Sequence, residues 1–325
     1  MTEDVMMIIN SQIKKYEIVS QLGEGGFASV FLGRHYLTKE FYAIKAISRD
    51  RAMECGLLCY LENELRLISR FDHPNIVKMY EIIYLQSYIC IIMEYCPNGD
   101  LNNVINSDQP LHQCDKNRIA LEILEALDYL HSRGISHRDI KPANIMFDKD
   151  MHVKLIDFGF AREQSESVST MCGTQMLMAP EVICNYNYDG RKADMWSLAI
   201  TLHALAVNCL PFEYRGDSQL AKDMKSRTLP INIIATGMIG WIVRNTLIYD
   251  PDKRASTAEI LNHVKNNEYT YVVKRLPRVK RAKTSSILEQ VEYRQNTPHI
   301  LKVRTNKEGN PCIGNRLVRS KARFF

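Results

Sequence analysis

None of the nine cysteines in the 325 residues forms a Cys-x-x-Cys pair. Cys55 and Cys59 are four apart with no second pair to complete a metal site, so reduced thiols are expected rather than a zinc framework or disulfide scaffold. No run of about 18 or more apolar residues occurs, the length a membrane helix needs. The longest candidate, Met195 to Val207, is broken by Ser197, Thr201 and His203 and reads as a buried helix. The first ten residues carry Glu3 and Asp4 and only a short apolar run, so no secretory signal is expected. No internal repeat is evident. The glycine-rich turn at 23–26 lacks the Gly-Lys-Ser/Thr ending of a P-loop, which excludes that class of nucleotide-binding protein.

What remains is an ordinary soluble composition, 46% apolar and 24% charged, long enough for two lobes with a sizeable core. The charge is uneven. Residues 274–325 hold 14 Lys/Arg against 3 Asp/Glu, a charge of +11, so the remainder carries 5 − 11 = −6. That places a boundary near residue 273. The run Lys274 to Lys283 suits a nuclear signal, a patch for an anionic surface or a solvated linker. It has no interleaved aromatics to stack bases, so nucleic acid is not expected as a partner. The expected location is the cytoplasm, with the nucleus left open, and acidic partners are the natural contacts of the tail.

The densest chemistry lies in His137-Arg138-Asp139-Ile140-Lys141-Pro142-Ala143-Asn144, followed thirteen residues after Asn144 by Asp157-Phe158-Gly159. Asp139, Asn144 and Asp157 place three oxygen-bearing side chains on two short loops. Such a set suits Mg²⁺, which takes one or two carboxylates and leaves sites for phosphate oxygens. Lys141 can neutralise a moving phosphoryl group. Upstream, a strand-like run from Tyr16 to Leu22 leads into Gly23-Glu24-Gly25-Gly26-Phe27-Ala28-Ser29-Val30. Glycines let backbone amides lie close over phosphates, although a plain hairpin uses the same residues. Phe41 to Lys45 is a β-rich run ending in lysine. Leu57, Leu61, Leu65 and Ile68 recur at helical spacing and predict a helix over Arg51 to Phe71, carrying Glu62 and Glu64 and ended by His73-Pro74. Strands are predicted over Ile76 to Ile83 and Tyr88 to Met93. A helix is predicted over Asp115 to Ser132, with Ile119, Ile123, Leu127 and Leu130 as its core stripe and Gly134 as its stop.

The two motif pieces, in this order and at this spacing, resemble the signature of the eukaryotic protein kinase family from about Tyr16 to about Val264. The resemblance implies an α+β bilobal fold, with a small β-rich N-lobe carrying one main helix and a larger, mainly helical C-lobe. It divides the chain into an extension (1–15), a kinase domain (16–270, with N-lobe 16–93, hinge 94–98 and C-lobe 99–270) and a basic tail (271–325). It implies transfer of the γ-phosphate of ATP, with Mg²⁺, to Ser/Thr hydroxyls of protein substrates. A catalytically impaired scaffold that binds ATP or partners is the alternative. Lys141 favours Ser/Thr over Tyr, and the N-lobe is similar to the calcium/calmodulin-kinase-like, autophagy-initiating or polo-like branches.

By the same resemblance, Asp139 accepts and orients the substrate hydroxyl and Lys141 sits by the γ-phosphate. Lys45 holds the α- and β-phosphates and is kept in place by Glu64, chosen over Glu62 for its nine-residue distance to His73. Leu22, Gly23, Glu24, Gly25, Gly26, Phe27, Ala28, Ser29, Val30, Ala43, Met93, Glu94, Cys96 and Met146 surround the nucleotide, with Met93 as gatekeeper and Glu94 to Cys96 as hinge. Asn144 and Asp157 hold the metal. His137 packs under Phe158, Thr174 bonds the catalytic loop, Glu181 pairs with Arg254, and Asp194 braces the His-Arg-Asp backbone. Thr170 falls where relatives carry an activating phosphate, added by an upstream kinase or by the chain itself, with Arg138 as its partner.

The chain departs from the family pattern at Ala28, Gln175, Leu177 and Ala199, where Gly, Pro, Tyr and Gly are usual. Gln175 and Leu177 bear on the pocket for the residue after the target hydroxyl. Asp100 supplies one of two acids that accompany Arg-preferring substrates, and Ala143 lacks the second.

Overall fold

The computed structural model describes residues 13, 15–24, 28–54, 58–107, 111–163, 174–184 and 188–267, together with 304–305 and 311–312. In the N-lobe, runs rich in β-branched and aromatic residues form β1 (Tyr16–Glu24), β2 (Ala28–His35) and β3 (Phe41–Ser48), then α1 (Arg49–Glu54) and α2 (Leu58–Ile68), then β4 (Met79–Tyr84) and β5 (Tyr88–Glu94). The five strands make one antiparallel sheet in the order β1-β2-β3-β5-β4. Strand alternation sorts β3 between two apolar clusters. Ile44 and Ala46 pack with Phe31, Cys90 and Ile92. Ile47 packs with Leu61 of α2 and with Ile91. Lys45 shares the parity of Ile47, so the alternation aims it at α2 and the cleft.

Within the helix predicted over Arg51 to Phe71 the described residues form α1 and α2, ending at Ile68, and 55–57 lie outside the described residues. One expectation is corrected here. The strand predicted from Ile76 begins at Met79, because the C-lobe captures the preceding backbone. Val77 N–H donates to the Leu155 carbonyl at 3.0 Å, and Leu155 N–H to the Asn75 carbonyl at 2.8 Å.

The C-lobe runs through α3 (Leu101–Ile105), α4 (Gln113–His131), β6 (Ile135–Ser136), β7 (Ile145–Phe147), β8 (Val153–Leu155), β9 (Arg162–Glu163), α5 (Pro180–Cys184), α6 (Gly190–Val207), α7 (Asp217–Ser226), α8 (Gly237–Thr246) and α9 (Thr257–Asn266). The α4 stripe Ile119, Ile123, Leu127 and Leu130 is buried in the main core with Trp196, Leu198 and Ile200 of α6. Thr201 and His203, which interrupt the apolar run of α6, are buried as well. The His203 ring is held by the Cys209 carbonyl at 2.8 Å and the Ile234 amide at 3.3 Å. Among the described residues no helix is long and apolar enough to cross a membrane. Ser256 caps α9 in a reciprocal capping box with Glu259. Gly190 begins α6 against β6, where a Cβ would lie 2.3 Å from Ser136 Oγ.

Arg254 ties α5 to the base of the lobe. Its side chain is fully buried, and all five guanidinium hydrogens have acceptors. Nη1 donates to Glu181 Oε1 (2.5 Å) and the Lys192 carbonyl (2.8 Å). Nη2 donates to Glu181 Oε2 (2.8 Å) and the Tyr249 carbonyl (3.3 Å), and Nε to the Ile248 carbonyl (2.7 Å). Removing one partner strands a buried charge. Glu181→Ala is expected to lower the unfolding free energy by about 3–5 kcal/mol in a urea titration. A loss below about 1 kcal/mol would show that the pair is not a structural tie.

Candidate active site

The upper wall of the cleft is built from β3 and α2. Lys45 Nζ lies 2.6 Å from Glu64 Oε1 and 3.5 Å from Asp157 Oδ1. Burial works against the Lys45 charge, but Glu64 and Asp157 outweigh it and hold the ammonium above the usual lysine range. Burial likewise lifts the Glu64 carboxyl, against the pull of Lys45. Burial alone would raise Asp157, yet Lys45 and Lys141 bring it below the usual carboxylate range. A carboxylate kept ionised beside two lysines is a suitable ligand for a hard cation.

The lower wall is the loop after β6. Asp139 Oδ2 meets Lys141 Nζ at 2.8 Å and accepts from Asn144 Nδ2 at 2.9 Å. Among the described residues no donor reaches Asp139 Oδ1. The Asn144 amide also binds the Asp139 carbonyl at 2.9 Å, and the Asn144 carbonyl accepts from Ile156 N–H at 3.0 Å. Asn144 is thereby locked between the catalytic loop and the strand that delivers Asp157. The His137 and Phe158 rings meet edge to face with centroids 5.0 Å apart, and His137 Nε2 bonds the Ile156 carbonyl at 3.0 Å.

Arg138 has φ 68° and Asp157 φ 63°, a left-handed backbone that costs non-glycine residues about 1–2 kcal/mol. The loop keeps this shape because Asp194, on α6, accepts from Arg138 N–H at 2.7 Å and His137 N–H at 2.8 Å. The second of those oxygens also meets His131 Nε2 at 2.9 Å.

The nucleotide positions divide. Gly25, Gly26 and Phe27 lie outside the described residues, as does Thr170. Leu22, Gly23, Glu24, Ala28, Ser29 and Val30 lie on β1 and β2. Val30 pairs across the ladder with Lys45, and Ala43 with Met93. Met146 on β7 bridges to Asp100. Leu22, Val30, Ala43, Met93 and Met146 are all at least partly exposed. Cys96 is buried, and among the described residues its amide N–H has no acceptor. An amide of that kind suits the acceptor edge of a heteroaromatic ring. Burial pushes the Cys96 thiol up to about 12. Among the described residues no three His, Cys, Asp or Glu cluster as a closed metal cage. Asp157 and Asn144 form instead an open, two-ligand set that needs oxygens from elsewhere, which fits Mg²⁺ held against phosphate.

One expectation fails: Thr174 lines a small cavity with Arg138, Asp139 and Leu177, but among the described residues its hydroxyl makes no hydrogen bond to the catalytic loop. Asp100 is buried as the N-cap of α3, accepting from Asn103 N–H at 2.9 Å. Other contacts had no motif to announce them. Tyr188 takes the Arg138 guanidinium on its hydroxyl at 2.8 Å, fifty residues away. Lys154 pairs with Glu94 at the hinge at 2.8 Å. Such partners meet only through the fold.

The comparisons agree with this geometry. The family described as "Protein kinase domain" matches residues 16–264. CBL-interacting protein kinase 11 of Oryza sativa subsp. japonica is 36% identical over 203 residues, 61% of this chain and 40% of that protein. Serine/threonine-protein kinase kin-29 of Caenorhabditis elegans is 33% identical over 254 residues, 78% of this chain and 31% of that protein. Serine/threonine-protein kinase SIK1 of Mus musculus is 33% identical over 250 residues, 76% of this chain and 32% of that protein. The sheet, the helical lobe and the family match together make this chain a member of the protein kinase family. It spans less than half the length of each of these three relatives.

Asp194→Asn turns one acceptor of the catalytic-loop amides into a donor. It is expected to lower the unfolding free energy by about 1–3 kcal/mol and to speed amide exchange at His137 and Arg138. Unchanged exchange at both amides would show that Asp194 does not hold the loop.

Proposed function

We propose that this chain is an ATP- and Mg²⁺-dependent protein serine/threonine kinase. The observation that carries the reading is the convergence of Lys45, Glu64 and Asp157 on one charged cluster, at 2.6 and 3.5 Å. Asp139, Lys141 and Asn144 form a second cluster, joined to the first through Asn144 and Ile156. All six charged or polar groups that phosphoryl transfer uses are present.

Phosphoryl transfer passes through a loose transition state, so the protein mainly positions groups and stabilises charge. Asp157 and Asn144 would hold Mg²⁺, which would supply positive charge against the phosphates. Lys45, kept protonated and fixed by Glu64, would hold the α- and β-phosphates. Asp139 has one oxygen committed to Lys141 and Asn144. Its other oxygen accepts the hydroxyl proton of the incoming Ser or Thr and aims that hydroxyl. Lys141 spreads positive charge over the transferring group. Leu22, Val30, Ala43, Met93 and Met146, with the Cys96 amide, would take the adenine.

Lys141 and the Ser/Thr names of the relatives support hydroxyl rather than phenol acceptors. Thr170 is the proposed regulatory phosphosite, modified by an upstream kinase or by the chain itself, with Arg138 as its partner. The tail from 271 is read as a contact for acidic partners, on its +11 charge over 274–325. The proposed location is the cytoplasm, with the nucleus left open. The finer branch within the family follows the relatives above.

The test is label transfer from γ-labelled ATP to a generic protein, with Mg²⁺. Asp139→Asn is expected to lower kcat roughly 10²- to 10⁴-fold. Asp157→Ala or chelation of the metal is expected to remove transfer. Equal transfer by wild type and Asp157→Ala, or none by either, would falsify the reading.

A further inference from the structure

Glu163 has no part in the chemistry just described, yet it stands where three elements meet. Its backbone lies in β9, which pairs with β6 in the register Ile135↔Glu163 and Ser136↔Arg162. Strand β6 runs directly into His137, so Glu163 is fastened to the catalytic loop through the main chain. Its side chain reaches the other lobe. Arg66 Nη1 lies 2.7 Å from Glu163 Oε2, and Arg70 Nη1 lies 2.7 Å from Oε1. One guanidinium sits on each oxygen, which holds the Glu163 carboxyl below the usual range.

The two arginines are one helical turn apart. Arg66 is in α2, and Arg70 lies in the turn that closes it, its N–H donating to the Leu67 carbonyl at 3.0 Å. Two residues before Arg66 stands Glu64, the partner of Lys45. Each arginine side chain is about half exposed, at 45% and 58%. Exposed pairs of this kind add little to global stability. Their effect therefore falls on where α2 sits, not on whether the domain folds.

We propose that Glu163 is a positioning residue: through Arg66 and Arg70 it clamps α2 to the catalytic loop at the distance where Glu64 reaches Lys45. The clamp stands on the geometry alone. Its consequence for turnover rests on the phosphotransfer reading, and the two are tested separately.

The first measurement is amide hydrogen exchange on the full chain, comparing residues 58–68 with β2 as internal control. Glu163→Ala and the double variant Arg66→Ala/Arg70→Ala are each expected to speed exchange in α2 roughly threefold to tenfold, the range two exposed ion pairs can supply. Combining all three changes should add little more, since one interaction is being removed twice. The reversed set Glu163→Arg, Arg66→Glu, Arg70→Glu should restore slow exchange. If Glu163→Ala does not fold, the exposed arginine pair gives the same information. Unchanged exchange in α2, or no recovery in the reversed set, overturns the clamp. The second measurement is kcat and the KM for ATP. Loosened α2 should lower kcat and raise KM, with recovery in the reversed set. Faster exchange with both constants unchanged overturns the positioning role. A wild-type chain with no transfer at all counts against the phosphotransfer reading, while the exchange data still decide the clamp.

Discussion

A single buried carboxylate, Asp194, fixes the shape on which the site depends. It sits near the start of the most enclosed helix and is 1% exposed. From there it receives two consecutive main-chain amides of the catalytic loop. Holding both amides fixes the backbone at His137, and the left-handed Arg138 just after it turns the chain into Asp139. The strain is tolerated because the surrounding structure over-determines it. Asp139 follows directly, so its aim is set by a residue more than fifty positions downstream.

The opposite wall obeys a different constraint. A strand sends alternate side chains to opposite faces, and this places Lys45 with Ile47 on the side of α2. A lysine there has little water and needs a carboxylate. Glu64 provides it from a helix whose own position depends on contacts with the other lobe. The cleft thus joins a wall braced by a buried carboxylate to a wall whose helix is held both by buried Leu61, Leu67 and Ile68 and by exposed charges.

Much of this was legible in the sequence, for identifiable reasons. The catalytic loop and Asp157-Phe158-Gly159 are local motifs whose residue types and spacing carry their chemistry, so Asp139, Lys141, Asn144 and Asp157 could be named before any coordinates. The α4 stripe and the buried α6 follow from apolar spacing. Glu64 needed a distance to His73 to separate it from Glu62. What could not be read were contacts made by folding alone. Tyr188 on Arg138, Lys154 on Glu94 and the two arginines on Glu163 join residues with no shared motif. Asp100 has a capping role at the start of α3 that its residue type also allowed.

The hinge cysteine has a chemical corollary. Burial pushes the Cys96 thiol up to about 12, so its nucleophilic thiolate form is scarce at neutral pH. Electrophilic ligands designed to alkylate this hinge would find almost no nucleophile there.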